Sequence, residues 1–305
     1  MNRPAVGLRL DGDTLRRAAG LGVAGNFAGH LEQAGEAADF VGVRAAAGRP
    51  KGVFPFYLPG DADKVPARLR VPPVSADTIR TPADASAHLQ IEPELALWCA
   101  LGYDAGGRVT AVTPRAFGAF NDCSWRNPLA TKISEKKNWG PQSQGLAAGQ
   151  LFPLENFSAS GPLEHFRLAS FLRREGMLHP YGEDAPVAGY GTLYGDLLDW
   201  LVDRLRHQRD DGPLEDVGAM LKAAGRPDRA LIAIGATRYL PFGEATFLRP
   251  GDEAVVAVYD GREADAGALR AALADAGWTG APWVSLLRQR VLEPGVSPAA
   301  PARSR

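Results

Sequence analysis

From residue 88 the chain reads His88-Leu89-Gln90-Ile91-Glu92-Pro93-Glu94-Leu95, with polar and apolar positions alternating around Pro93. A period of two predicts a strand carrying Leu89, Ile91, Leu95 and Leu97 on one face and His88, Gln90, Glu92 and Glu94 on the other. The pattern continues through 98–103, turns at 104–107, and returns at 109–112 as the second arm of a hairpin. Shorter apolar runs predict strands at 6–10, 39–43, 231–234 and 254–258, and a strand or short helix at 166–172. Leu193, Leu197, Leu198, Leu201, Val202 and Leu205 follow helical spacing and predict a helix over 192–209, with Thr192 as its N-cap. Two further helices are expected at 213–224, stopped by Gly225, and at 264–276. The proline- and aromatic-rich stretch 50–60 and most of 128–165 read as irregular. Many strands with a few helices placed late give an α+β fold with a β-dominated core. The chain divides into an N-terminal strand and lead-in (1–19), a main domain (20–260), a helical extension (261–296) and a flexible tail (297–305).

Composition narrows the function classes. The 305 residues are 45% hydrophobic and 23% charged, with a formal net charge of -1. Interspersed charge of near-zero sum gives no electrostatic reason to bind nucleic acid or an anionic membrane surface. No stretch is apolar and long enough to span a bilayer, and no apolar run follows Met1 to act as a signal peptide. The two cysteines, Cys99 and Cys123, form neither a disulfide framework nor a zinc pattern, so a cytoplasmic location is expected.

The acidic face of the opening strand carries the candidate chemistry. Glu92 and Glu94 lie at i and i+2, about 6–7 Å apart along a strand, and point the same way. Two such carboxylates repel unless one takes a proton or a cation lies between them. Asp122, where an apolar segment ends in Asn121-Asp122-Cys123-Ser124, supplies a third oxygen. Two glutamates and an aspartate suit Mg²⁺ or Mn²⁺, with Ca²⁺ as a further option. Against this stand an ordinary acidic strand edge and an ordinary Asn-Asp turn. His30, close to Glu32 and Glu36, has the makings of a general base, or of a surface histidine at a helix start. Gly20, Gly22 and Gly25 spell G-x-G-x-x-G, but no buried strand precedes them, so a dinucleotide-dependent oxidoreductase is the weaker reading.

Several segments, in order, resemble the fumarylacetoacetate hydrolase superfamily. Residues 25–30, Gly-Asn-Phe-Ala-Gly-His, are similar to its G-x-N-Y-x-x-H segment. Residues 91–96 resemble its E-x-E-L strand, and 120–126, Phe-Asn-Asp-Cys-Ser-Trp-Arg, its N-D-x-S-x-R segment. Residues 234–237 and 247–252 resemble its T-G-T-P and F-L-x-P-G-D segments, and Gly-Val-Phe-Pro-Phe-Tyr-Leu-Pro after Lys51 its F-x-K-P region. The likeness covers roughly residues 20 to 260. It implies a mixed β-sandwich roll, a homodimer, and Glu92, Glu94 and Asp122 as metal ligands. His30, oriented by Glu32 or Glu36, would be the catalytic base, and Asn26, Arg126 and Gln144 would contact substrate. Three positions depart from the family pattern. Gln33 stands where a glutamate completes the histidine's dyad, Pro93 interrupts the metal strand, and the family's lysine falls on Gln144 or is supplied by Lys136 or Lys137 reaching in. The implied activity is metal-dependent cleavage of a C–C bond, or decarboxylation, in a small oxo-acid such as an acylpyruvate. The alternative is a non-catalytic binding or scaffold protein that retains the fold.

Overall fold

The computed structural model describes residues 5–36, 40, 49–60 and 65–295. Two sheets dominate it. The larger contains β1 (Ala19–Ala24), β2 (Gly52–Tyr57), β3 (Val74–Ser75), β6 (Pro93–Tyr103), β7 (Val109–Asn121), β9 (Gln144–Leu146), β10 (Phe152–Pro153) and β14 (Arg229–Ala236). Its order is β2-β1-β14-β6-β7-β9-β3, with β10 also on β7. The smaller runs β12 (Met177–Pro180), β11 (Phe166–Arg174), β15 (Glu253–Asp260), β16 (Val284–Leu292) and β4 (Thr78–Arg80), with β13 (Ala185–Pro186) also on β11. A two-stranded ribbon joins β5 (Leu89–Gln90) to β8 (Ser124–Trp125). The sheets share one apolar core, in which Leu95, Leu97 and Phe117 from the large sheet lie with Leu168, Val256, Val258 and Leu287 from the small one. The fold is therefore the β-dominated α+β roll expected, with parallel pairs (β1 with β14, β3 with β9, β16 with β4) among antiparallel ones.

Seven helices decorate the sheets among the described residues: α1 (Gly12–Arg17), α2 (His30–Gln33), α3 (Ile133–Lys137), α4 (Tyr194–His207), α5 (Val217–Ala223), α6 (Pro241–Ala245) and α7 (Ala266–Ala274). The helix expected from residue 192 starts at Tyr194. Thr192 is not its N-cap: that position falls on Leu193, and the Thr192 hydroxyl makes no hydrogen bond. The predicted helix at 213–224 begins only at Val217, capped by the Asp216 carboxylate.

The other departures have local causes. Gly20 and Gly22 lie inside a strand rather than in a phosphate-binding turn. A Cβ on them would sit 2.1 Å from the Phe56 ring and 2.2 Å from the Phe54 ring, so their bareness makes room for the aromatics of β2. The stretch expected to be irregular at 50–60 is thus largely the strand β2, its Pro55 tolerated because β2 is an edge strand. The strand expected at 6–10 is reduced to one bridge, Leu8 with Leu151. The strand expected at 39–43 lies, apart from buried Phe40, outside the described residues. The segment taken as a helical extension ends in β16, whose inward polar residues break the apolar alternation. Ser285 accepts from the Ala119 N–H at 2.9 Å, and Gln289 accepts from Asn121 at 3.0 Å.

Candidate metal centre

β1 and β14 end, β6 begins and β7 ends at the same edge of the large sheet. That common edge gathers residues from five separate stretches of sequence. Pro93 opens β6 opposite Asn121 and Glu94 pairs with Phe120, so Glu92 and Asp122 flank the first rung of the hairpin. A proline at the first strand position sacrifices little of the ladder, which is how this strand accommodates Pro93. The Asn121 side chain accepts from the Glu92 N–H at 3.1 Å and is itself held by Gln289 of the small sheet. On the other side the β14–β6 register is irregular between Ala233 and Ala236. Gly235 there, at φ 117°, turns its N–H to Glu94 Oε2 at 2.7 Å.

Of the polar face predicted for this strand His88 is exposed, but Gln90, Glu92 and Glu94 are buried. Glu92, Glu94 and Asp122 are 4%, 2% and 1% exposed, and one ligand oxygen from each lies within 4.8 Å of the others. They border a small cavity of about 20 Å³, together with His30, Glu36 and Lys137. That is room for one water or one bare ion.

The cations here are fewer than the carboxylates need. Lys137 Nζ sits 2.6 Å from Glu92 Oε2 and 2.8 Å from Asp122 Oδ2, and donates to the Asp122 carbonyl at 3.0 Å. Arg126 Nη2 lies 2.8 Å from Glu92 Oε1. Burial works to raise the Glu92 carboxyl, yet Lys137 and Arg126 outweigh it and hold Glu92 well below the usual range. Glu94 has no such partner. Burial, and then the Asp122 charge, push it well above the carboxylate range. Burial also lifts Asp122 to about 6 despite Lys137. Asp122 Oδ1 and Glu92 Oε1 are buried and make no hydrogen bond, the ion pair to Arg126 being out of alignment for one. Three converging carboxylates, two of them held too high, with the unpartnered Asp122 Oδ1 beside an ion-sized space, fit a hard divalent cation.

The remaining predicted residues fall into three groups. His30 reaches the cavity from α2. Its Nε2 lies 3.7 Å from Glu92 Oε2, and neither ring nitrogen makes a hydrogen bond. Neither expected dyad partner orients it. Glu32 is exposed, and Glu36 Oε1 is taken by Arg126 at 2.9 Å with Lys136 at 3.4 Å. Gln33, standing at the dyad position, is locked to the Tyr239 backbone, accepting its N–H at 2.9 Å and donating to its carbonyl at 3.2 Å. Arg126 is also fastened to Gln90, Ser124 and Tyr239 at 2.7, 3.1 and 2.8 Å.

The Asn26 amide and the Gln144 NH₂ group bond to backbone, while Gln144 Oε1 is buried without a hydrogen bond. Asn26 donates to the Thr192 and Ile234 carbonyls and accepts from Thr192, tying the end of β1 to β14 and the approach to α4. Gln144 donates to the Cys123 and Lys137 carbonyls at 2.9 and 2.5 Å. It buttresses the backbone that presents Lys137. Of the three candidates named for the lysine, Lys137 is the one at the acidic cavity, although its segment read as loop. The signal present was Glu135, whose carboxylate accepts from the Lys132 N–H and caps the short helix α3. Thr237, whose buried hydroxyl lacks a partner and whose N–H reaches the Pro93 carbonyl at 3.3 Å, went unnoticed.

Comparison with solved structures shows the fold to be that of fumarylacetoacetate hydrolase family proteins. The yeast protein ynq8, a member of that family, superposes with a TM-score of 0.51 at 13% identity, covering 93% of this chain and 97% of its own. Cg1458, solved with an inhibitor, gives a TM-score of 0.51 at 12% identity over 90% of this chain and 77% of its own. A search of curated proteins finds no match. By sequence, with residues 36–291 matched, the chain belongs to the family described as "Family of unknown function (DUF5718)".

Proposed function

We propose that this chain is a divalent-metal-dependent enzyme acting on a small oxo-acid, breaking a C–C bond by hydrolysis or decarboxylation. The observation that carries the reading is the convergence of Glu92, Glu94 and Asp122 within 4.8 Å, with Asp122 Oδ1 buried and unpartnered. Glu92, Glu94 and Asp122 would hold Mg²⁺ or Mn²⁺. Such an ion polarises adjacent carboxylate and keto oxygens and stabilises the enolate left as the bond breaks.

The chain's own residues supply the rest. Lys137, raised by Asp122 and Glu92 against the effect of burial, stays cationic and adds fixed positive charge where the enolate forms. His30, with both ring nitrogens uncommitted, can take or return a proton at the carbon that is cut. Gly235 and Asn121 fix the Glu94 carboxylate and the Glu92 backbone, so the ligand set is positioned before substrate arrives. Lys137, 2.6 Å from Glu92, supports the enzyme reading over a scaffold protein.

The test is turnover of a panel of 2-oxo acids, followed by mass spectrometry. Activity should vanish on chelation, return with Mg²⁺ or Mn²⁺, and fall about 10²–10³-fold in Lys137→Met. Turnover that survives complete metal removal would overturn the proposal.

A further inference from the structure

The acidic cavity lies where β6 begins. At the other end of that strand, about 30 Å away by strand rise, is a second cavity of about 300 Å³. Its walls are basic. The turn after β6 contributes Arg108, the last turn of α4 contributes Arg206 and His207, the stretch that follows contributes Arg209, and α5 contributes Lys222. Buried Val109 and Leu205 give it an apolar floor.

Three of these five side chains are paired by the fold. Arg108 lies 3.2 Å from Asp104, His207 shares Asp203 with Arg204, and Arg209 lies 3.4 Å from Asp216. Asp216 is the one carboxylate lining the cavity among the described residues, and it is committed twice, since it also accepts the Ala219 N–H to cap α5. Arg206 and Lys222 have no ion pair or hydrogen bond among the described residues, and the Arg206 Nε is buried without a partner. Both stand in the last turn of a helix, where the carbonyl ends favour cations. That effect amounts to about half a charge per helix end and leaves the two cations in surplus. A further guanidinium, that of Arg226, lies against Gly107 of the same turn, where a Cβ would sit 2.2 Å from its Nε.

Two unpaired cations facing one cavity call for a dianion. A phosphomonoester carries about −1.5 to −2 charge on a single tetrahedral group at neutral pH, and guanidinium binds it by paired charge-assisted hydrogen bonds. A carboxylate supplies half that charge. The volume left over exceeds what a phosphate group fills and falls in the range of small-molecule sites, which start at about 300 Å³. We propose that this cavity binds a phosphorylated small molecule, with its phosphate neutralised by Arg206 and Lys222 and its organic part against Val109 and Leu205. The site is independent of the metal-dependent function proposed above.

Calorimetric titration of the metal-free full chain at low salt, with phenyl phosphate, inorganic phosphate and succinate, tests it. Phenyl phosphate should saturate at one per chain and bind roughly tenfold more tightly than inorganic phosphate, because its ring is buried as well. Arg206→Gln and Lys222→Gln should each weaken it roughly tenfold or more. Lys222 is exposed, so its replacement reads the ligand and not folding. Arg270→Gln, at an exposed position on α7 beside the small sheet, should leave affinity unchanged. Affinity unmoved by Arg206→Gln and Lys222→Gln, or lowered as much by Arg270→Gln, overturns the site. Succinate binding as tightly as phenyl phosphate overturns its assignment to phosphate, and inorganic phosphate doing so overturns the place given to the organic part.

Discussion

Two groups of acids lie at opposite extremes of satisfaction. On the small sheet, Asp252 receives Arg174 on both oxygens, at 2.8 and 2.6 Å, and the Arg249 N–H at 2.9 Å. Next to it Glu253 is gripped by Arg288 and Arg173 at 2.9–3.1 Å. Every oxygen there has a cationic partner. At the edge of the large sheet, Glu94 receives a single backbone N–H, Asp122 keeps an unpartnered oxygen, and one ammonium serves both Glu92 and Asp122. The two groups contain the same residue types, and Asp252 is buried as deeply as Asp122, both 1% exposed. The difference lies in what the neighbours supply: the first is neutralised by the fold, and the second is left short by about the charge of an added cation. A carboxylate is thus informative through its missing partner, not through its burial.

Mutation should split the two groups. The largest effect is expected on the satisfied side. Asp252→Ala strands Arg174 and frees the turn at residue 249, so denaturant unfolding should show a loss of about 3 kcal/mol. Mn²⁺ affinity should not change; if it did, the two regions would not be independent. Next is the pH response of the deficient side. Glu94 and Asp122 are protonated at low pH because their carboxyls are raised, the latter to about 6, while Glu92 is held low and stays ionised. Bound metal must expel those protons, so affinity should be level above the raised values and fall by one to two decades per pH unit, on the order of one decade per proton, below about 6. A calorimetric pH series showing constant affinity down to pH 5 would remove the deficit from the account.

The smallest effect concerns the metal-free chain. A raised carboxyl binds its proton more tightly in the folded than in the unfolded state. Its stabilising contribution is therefore present at low pH and lost as pH rises through the folded value. Glu94→Gln removes that loss, so at neutral pH the metal-free variant should be more stable than wild type by about 1 kcal/mol. A clear loss of stability on thermal unfolding would mean that Glu94 is structural, like Asp252.

Much of this arrangement was legible in the chain, and what was not has a physical reason. The period-two pattern around Glu92 and the turn at Asp122 marked three acids, and strand pairing alone brings them together once β6 and β7 form a hairpin. The small sheet's share was hidden, because β16 buries Ser285 and Gln289 to hold β7, and buried polar residues mask a strand's alternation. The resemblance pointed to residue 252 as part of a closing motif, yet Asp252 proves to be a staple for Arg174. Lys137 depends on a one-turn helix in a loop-like segment, where local pattern carries little signal. The bonds of Asn26 and Gln33 are long-range, and no spacing rule shows which amide is already spent.

Mn²⁺ titration of the chelator-stripped protein, read by electron paramagnetic resonance alongside Glu94→Gln, tests the central claim most directly. The account predicts one bound ion per wild-type chain and an affinity at least about 100-fold weaker in the variant, with the fold unchanged by circular dichroism. Equal Mn²⁺ binding by wild type and variant, or none by a folded wild type, would contradict it.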